Sequence, residues 1–100
     1  GLGSVDDLLR AGQKADRSGL SAAGRALQKH GDRAGSVFPK SAGNAAARNA
    51  QGQDVLGEIL NSSNRSVAGN RFGGQDIFDT ATGRGARFGG DGNFMGFLEP

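Results

Sequence analysis

The sequence has no cysteine, tryptophan or tyrosine, and its 100 residues include one histidine and two prolines. Without cysteine, disulfides, iron–sulfur clusters and cysteine-ligated zinc sites are excluded. Apolar residues make up 35% of the chain, and only the 19 glycines bring the total into the range of an average domain. These proportions predict a single domain with one small hydrophobic core.

The sequence also contains no segment typical of a membrane-spanning helix or of a signal peptide. No apolar run approaches the roughly 20 residues of a membrane-spanning helix. The first seven residues, GLGSVDD, have neither the basic nor the apolar region of a signal peptide. If the chain is exported, we expect a preceding part of a larger protein to direct the export.

The net charge of +2 conceals an uneven distribution of charged residues. Between Arg10 and Arg48 there are eight basic residues and only two acids, Asp16 and Asp32, whereas acids outnumber bases in the remainder of the chain. A basic half of this kind is typical of proteins that bind a polyanion. A solvated basic surface without a ligand is the alternative.

The first 19 residues are predicted to be a connector that carries a short helix. Ser4 followed by Asp7 at the third position resembles a capping box, and Gly12 is a suitable place for the helix to end. The polar residues that follow Gly12 predict a loop. The main domain is therefore expected to comprise residues 20–100.

A second helix is predicted to begin at Ser21 and to end at Gly31, with Gly31 as the left-handed residue after its last turn. His30 follows Leu27 at a spacing of three residues, which places it in the last turn beside the apolar stripe. At that position His30 also complements the negative end of the helix dipole.

A third helix is predicted from Gly43 or Asn44 to Leu60. Its helical periodicity predicts an apolar stripe, weakened by two internal glycines, Gly52 and Gly57. The stripe consists of Ala46, Ala50, Val55, Leu56, Ile59 and Leu60.

From Arg65 onward, short segments alternate with glycine-containing turns. Segment lengths and turn spacing predict a meander of four antiparallel strands over residues 65–72, 75–80, 84–88 and 93–98. Alternation in the last segment would place Phe94, Gly96 and Leu98 on one face and Met95 and Phe97 on the other. Helices followed by a sheet predict an α+β fold, with the helices packed on about four strands.

The residue pattern argues against several kinds of active site. The acids are scattered and the histidine stands alone, so neither a metal site nor a cofactor is predicted. The glycine-rich pieces are better explained as turns than as phosphate-binding loops, and nothing resembles the nucleophile elbow of a serine hydrolase. RNA carries its own nucleophile, the 2′-hydroxyl, and can be cleaved by one acid–base group with one or two cations.

His30 is the candidate acid–base residue, because histidine is the only side chain whose unperturbed pKa lies between pH 5 and 8. The alternative is a structural histidine at the edge of the core. Three cations near His30 in the sequence favour the catalytic role: Lys29 as a phosphate-stabilising residue, and Arg25 and Arg33 as substrate-binding residues.

Further candidates lie in the strand region. Arg84 and Arg87 would stabilise the phosphate, although their spacing of three residues places them on opposite faces of a regular strand. Arg71 and Phe72 are candidate substrate-binding residues, with Phe72 as a stacking platform for a base. Solvent exposure for the arginines and core packing for Phe72 are the alternatives. Ser36, Thr80 and Thr82 are weaker candidates, for which turn or cap roles are the alternative.

Several of these pieces resemble the C-terminal toxin domains of contact-dependent growth inhibition (CdiA-type) and related polymorphic toxins. They are GRALQKHG at 24–31, FP at 38–39, GN at 43–44, the third helix with VL at 55–56 and IL at 59–60, GRGARF at 83–88 and GNFMGFL at 92–98. The piece from Leu27 to Gly31 is also similar to the histidine-bearing helix of colicin D-like tRNA-cutting toxins. Lys29 and His30 match that catalytic motif, whereas Arg84 and Arg87 match only a basic strand.

The resemblance implies the barnase/EndoU/colicin/RelE (BECR) type of fold, in which helices pack on a twisted antiparallel sheet that holds RNA. It further implies that residues 20–100 are a toxin nuclease domain, delivered as part of a larger exoprotein into a neighbouring bacterium. There it would act on tRNA in the cytoplasm and be neutralised by a cognate immunity protein.

Together these observations predict a metal-independent ribonuclease, acting on tRNA by transesterification to a 2′,3′-cyclic phosphate. One alternative is a non-catalytic module that binds nucleic acid or protein, for which the basic half of the chain would suffice. Another is a toxin of different chemistry, such as a deaminase or a DNase, either of which would normally need a metal ion.

Overall fold

Three helices precede a four-stranded sheet in the computed structural model, which describes residues 4–100. The elements are α1 (Val5–Gly12), α2 (Ala22–Gly31), α3 (Ala45–Leu60), β1 (Arg65–Gly69), β2 (Gln75–Asp79), β3 (Arg84–Phe88) and β4 (Phe94–Leu98). The strands pair antiparallel in chain order, β1-β2-β3-β4, which makes the sheet a meander. The predicted α+β fold is therefore confirmed. None of the helices within residues 4–100 has the length and apolarity needed to cross a membrane.

Each helix begins at a side chain that caps its free backbone N–H groups. Ser4, Ser21 and Asn44 each accept a hydrogen bond from the backbone N–H three residues further on. Ser4 and Asp7 form the reciprocal capping box that the sequence predicts. These short polar motifs thus fix where α1, α2 and α3 start.

The end of α2 differs from the prediction. Gly31 is the last helical residue and does not adopt a positive φ, so its predicted role as a left-handed cap is wrong. A Cβ at Gly31 would lie 2.4 Å from the carbonyl oxygen of Pro39. Glycine is needed there because the loop after α2 passes directly over the helix. The left-handed turn comes later, at Gly35, with a φ of 76°.

The buried stripe of α3 is shorter than predicted. Ala46 and Ala50 are exposed, whereas the four large apolar residues of the second half, Val55, Leu56, Ile59 and Leu60, are buried. The middle of α3 instead meets α2 through Gly52, where a Cβ would lie 2.4 Å from the carbonyl oxygen of Ala23. Two glycines, Gly24 of α2 and Gly52 of α3, let the helices approach closely.

The core lies between the helices and one face of the sheet. Ile77, Ala86 and Phe97 are directly opposite one another across β2, β3 and β4, and all three are buried in it. Leu8 of α1 belongs to the same buried cluster as Leu27 of α2. The division of the chain into a connector of residues 1–19 and a domain of residues 20–100 stays a prediction.

Strand β4 does not alternate as predicted, because it contains a bulge. Arg87 pairs with Gly96 but Phe88 pairs with Phe94, so Met95 is an additional residue on β4. Gly96 takes up the irregularity with a φ of 145°. Consequently Phe94 and Phe97 both enter the core, and Gly96 lies open opposite Arg87.

Candidate active site

A cleft of about 490 Å³ lies between α2 and the edge strand β4. Helix α2 lines it with Arg25, Lys29 and His30, the loop after α2 adds Arg33, and β3 contributes Arg87 across the position of Gly96. Five of the eight predicted site residues are thus brought together from two distant parts of the chain. Such a concentration of cations suits a polyanionic ligand.

His30 occupies the last turn of α2, where a carboxylate holds its ring. Its Nδ1 lies 2.8 Å from Oε2 of Glu99, immediately after β4. Burial raises the pKa of Glu99, but hydrogen bonds from Ser36, His30 and Val37 outweigh burial, and the pKa falls below its ordinary value. An ionised carboxylate can only accept, so Nδ1 must be the donor of this hydrogen bond.

The tautomer that follows from this contact matters for catalysis. With its proton on Nδ1, a neutral imidazole keeps a free lone pair on Nε2. No hydrogen bond involves Nε2 within the described part of the chain, and His30 lines the cleft. Arg33 Nη1 is 3.5 Å from Nδ1, at the outer limit of hydrogen bonding, and does not compete with Glu99. Nε2 is therefore the nitrogen available to a substrate.

Glu99 is itself fixed by the loop between α2 and α3. Ser36 donates a hydrogen bond of 2.6 Å from its hydroxyl to Oε2, and the backbone N–H of Val37 donates one of 3.0 Å to Oε1. The Ser36 hydroxyl in turn accepts the N–H of Phe38. Both carboxylate oxygens are therefore engaged, which sets the direction of the His30 ring.

The His30 ring is also part of the packing, and the residue is only 8% exposed. Its centroid lies 5.2 Å from that of Phe38 and 6.5 Å from that of Phe97. His30 therefore combines the features expected of a histidine at the core edge with those expected of an acid–base residue.

Arg87 lies on the sheet face turned away from the helices. Its Nε and Nη2 each lie 2.9 Å from one carboxylate oxygen of Asp76. The hydrogen bond from Arg87 lowers the pKa of Asp76, and the same hydrogen bond raises the pKa of Arg87. The guanidinium groups of Arg87 and Arg71 lie 5.3 and 4.9 Å from the ring of Phe72, which is 40% exposed. Arg71 and Phe72 are thus outside the cleft but adjoin it through Arg87.

Arg84 lies on the opposite face of β3 from Arg87, as their spacing predicts, and it does not line the cleft. Its Nε donates a hydrogen bond of 2.7 Å to the carbonyl oxygen of Val37, and its Nη1 lies 3.7 Å from Glu58. Arg84 therefore contacts the loop that holds Glu99 and is not among the residues that line the cleft.

Sequence reasoning missed Glu99, because the residue is 69 positions from His30 and no local motif joins them. The one available signal was a lone acid directly after the last predicted strand. For metals, no three His, Cys, Asp or Glu side chains within residues 4–100 come together in a way that could hold an ion.

A family model described as the CdiA C-terminal tRNase toxin domain matches residues 9–99 of the chain. The chain belongs to this family. Membership confirms the predicted resemblance and the predicted class, a toxin endoribonuclease that acts on tRNA. The described core, from Leu8 of α1 to Phe97 of β4, falls almost entirely within the matched residues.

Among solved structures, this tRNase toxin domain is similar to the toxic C-terminal tip of CdiA from Pseudomonas aeruginosa, determined in complex with an immune protein. The sequences are 28% identical, the TM-score is 0.69, and the match covers 88% of this chain and 98% of the other. A comparison with curated proteins gave no match.

The lowered pKa of Glu99 predicts a pH-dependent contribution to stability. Glu99→Gln is expected to reduce the free energy of unfolding at pH 7 by about 1.5 kcal/mol, the value typical of hydrogen bonds to a charged group. Because the folded pKa lies below the unfolded one, this difference is complete above the unfolded pKa of about 4.3. It should disappear as the pH falls through the folded pKa.

Urea denaturation of both proteins between pH 7 and pH 2.5 measures this difference. Glu58→Gln is the matched control, since its carboxylate is exposed and lies 3.7 Å from Arg84. The control should differ from the wild type by less than about 1 kcal/mol. A gap for Glu99→Gln that persists unchanged at the lowest pH would refute the role given to the ionised carboxylate.

Proposed function

We propose that this tRNase domain cleaves RNA without a metal ion, by transesterification at the 2′-hydroxyl, with His30 as the acid–base residue. The observation that carries the proposal is the contact between His30 Nδ1 and Glu99, which leaves Nε2 free beside a cation-lined cleft. A carboxylate that orients a histidine in this way also stabilises the imidazolium formed when Nε2 takes up a proton.

The proposed reaction needs one proton acceptor and charge stabilisation. Nε2 of His30 takes the proton of the 2′-hydroxyl, and the 2′-oxygen attacks the adjacent phosphorus. The bond from phosphorus to the 5′-oxygen breaks, and the imidazolium returns a proton to that leaving oxygen. The products are a 2′,3′-cyclic phosphate and a 5′-hydroxyl, and atoms and charge balance without a co-reactant.

The cations of the cleft stabilise the negative charge that builds up on the phosphate. Lys29 is adjacent to His30 in sequence, Arg25 lies one turn before Lys29 on α2, and Arg33 follows in the loop after α2. Arg87 of β3 lines the same cleft, and Asp76 fixes its guanidinium. Preorganised cations of this kind act where charge develops in the transition state.

Residues outside the cleft have supporting roles in this proposal. Phe72, flanked by Arg71 and Arg87, offers a face on which a base of the substrate can stack. Arg84 keeps the Val37 segment in place and so maintains the bond from Val37 to Glu99. Arg84 then acts as a positioning residue and does not bind phosphate.

We further propose that the domain is delivered as part of a larger exoprotein and acts in the cytoplasm of a target bacterium. A cognate immunity protein would neutralise it there. Family membership and the immune protein in the complex of the Pseudomonas aeruginosa toxin support both statements.

Incubation of the purified domain with total tRNA in excess EDTA tests the mechanism. Discrete fragments are expected, with 3′ ends that resist ligation until the cyclic phosphate is opened and the remaining phosphate is removed by a kinase–phosphatase. Loss of cleavage in EDTA would contradict metal independence. Free 3′-hydroxyl ends would contradict transesterification. Salt-sensitive tRNA binding without any cleavage would indicate the non-catalytic binding module instead.

A further inference from the structure

A second cavity of about 570 Å³ is lined by α2, the loop before it and the start of α3. Its lining includes Arg17 from the loop before α2 and Arg48 from the first turn of α3. Arg25 and Lys29 of α2 line this cavity and also the cleft that contains His30. The two cavities therefore adjoin along one row of cations.

The spacing of that row fits a ligand that passes from one cavity to the other. Arg25 and Lys29 are four residues apart on α2, which places them one above the other at a distance of about 6 Å along the helix. A flexible chain with a charge on every unit could contact both side chains and still reach into each cavity. A nucleic-acid backbone has this property.

The charges of the second cavity are mostly uncompensated. Four basic residues line it, Arg17, Arg25, Lys29 and Arg48, against one acid, Asp32. Of these four, only Arg25 has an acidic partner within residues 4–100, Asp16 at 3.4 Å. The cavity consequently attracts anions.

One of these cations is held firmly in place. Arg48 donates from Nε to the carbonyl oxygen of Gly43 at 2.9 Å and from Nη1 to Ser41. Its position is fixed before any ligand arrives, which reduces the entropy lost on binding. The Arg17 side chain, in contrast, is exposed and forms no hydrogen bond or ion pair within residues 4–100.

We infer that the second cavity binds backbone phosphates of the RNA that flank the cleaved bond, with the strand crossing α2 over Arg25 and Lys29. This inference rests on the proposed ribonuclease function. An RNA backbone fits better than an acidic protein partner, because the exposed large apolar residues of the described chain, Val67, Phe72 and Met95, all lie outside this cavity. Protein interfaces normally centre on such side chains, whereas phosphate tracking needs only cations.

Binding of a fluorescein-labelled 2′-O-methyl RNA of 30 nucleotides tests the inference, since this RNA cannot be cleaved through a 2′-hydroxyl. Arg17→Glu is expected to weaken binding about tenfold and to lower the slope of log K against log salt by about one. Lys40→Glu is the charge-matched control, because Lys40 is exposed and lines neither cavity. The control should bind within about twofold of the wild type.

The outcomes separate this inference from the proposed function. Equal effects of Arg17→Glu and Lys40→Glu would overturn the second phosphate site even if the wild type cuts tRNA. Unchanged RNA binding by Arg17→Glu, together with loss of neutralisation by an immunity protein, would also overturn it and assign the cavity to that partner. Absence of tRNA cleavage by the wild type would instead contradict the proposed function, while the binding comparison still stands.

Discussion

His30→Ala is expected to slow tRNA cleavage by a factor of about 10²–10⁴, the usual contribution of a general acid–base group. His30 lines the cleft, its Nε2 has no hydrogen bond within residues 4–100, and the chain has no other histidine. The affinity for RNA should change little, because the cations of the cleft remain. The measurement is the single-turnover rate on total tRNA, with RNA binding determined in parallel.

A structural role alone would also lower activity, since the ring contacts Phe38 and Phe97 and binds Glu99. Two readouts distinguish the roles. Free imidazole should restore part of the cleavage by His30→Ala, because the cleft gives it access to the vacated position. His30→Gln keeps most of the side-chain volume and should be as inactive as His30→Ala. Full activity of either variant would remove His30 from the mechanism.

Much of the fold could be predicted because local residues determine it. Ser4, Ser21 and Asn44 cap their helices through atoms only three residues away. The glycine-containing turns after Arg65 likewise mark where each strand ends, so four strands could be counted without knowing what covers them.

Other features depend on contacts between distant parts of the chain, and the sequence pattern did not reveal them. Gly31 is a typical helix terminator, yet it is required by the passage of Pro39 over the helix. The bulge at Met95 breaks an alternation that appeared regular, because Phe94 and Phe97 are both drawn into the core. Such tertiary demands override local propensity.

The grouping of the cations with the histidine could be predicted from the sequence, but the contacts that hold them in place could not. The four residues that α2 and the loop after it contribute are close in sequence, so their spacing was sufficient to group them: Arg25, Lys29, His30 and Arg33. Glu99 lies beside them only because β4 runs along α2. Arg84 lies apart from them because its side chain contacts α3. A residue type identifies possible chemistry, whereas orientation comes from the packing of elements.

Because α2 and α3 approach closely at Gly52 but not at Gly57, alanine is expected to have opposite effects on stability at these two positions of α3. Gly52→Ala should destabilise the domain by about 1–3 kcal/mol, because the new Cβ would lie 2.4 Å from the Ala23 carbonyl oxygen and 2.7 Å from the Gly24 nitrogen. Both are backbone atoms and can move only if the helices separate. Gly57→Ala should instead stabilise it by about 0.5–1 kcal/mol, through helix propensity.

The environment of Gly57 explains the difference, since a Cβ there would meet only Leu9 Cδ2, at an ordinary contact distance of 3.8 Å.

Thermal unfolding measures both variants, with a shift of roughly 4–8 °C expected for each kcal/mol in a domain of this size. Gly52→Ala should also impair tRNA cleavage more than binding, because separation of the helices moves His30 relative to Glu99. Stabilisation by both substitutions would mean that α2 and α3 are not in close contact at Gly52, and that the position of His30 is determined by the sheet alone.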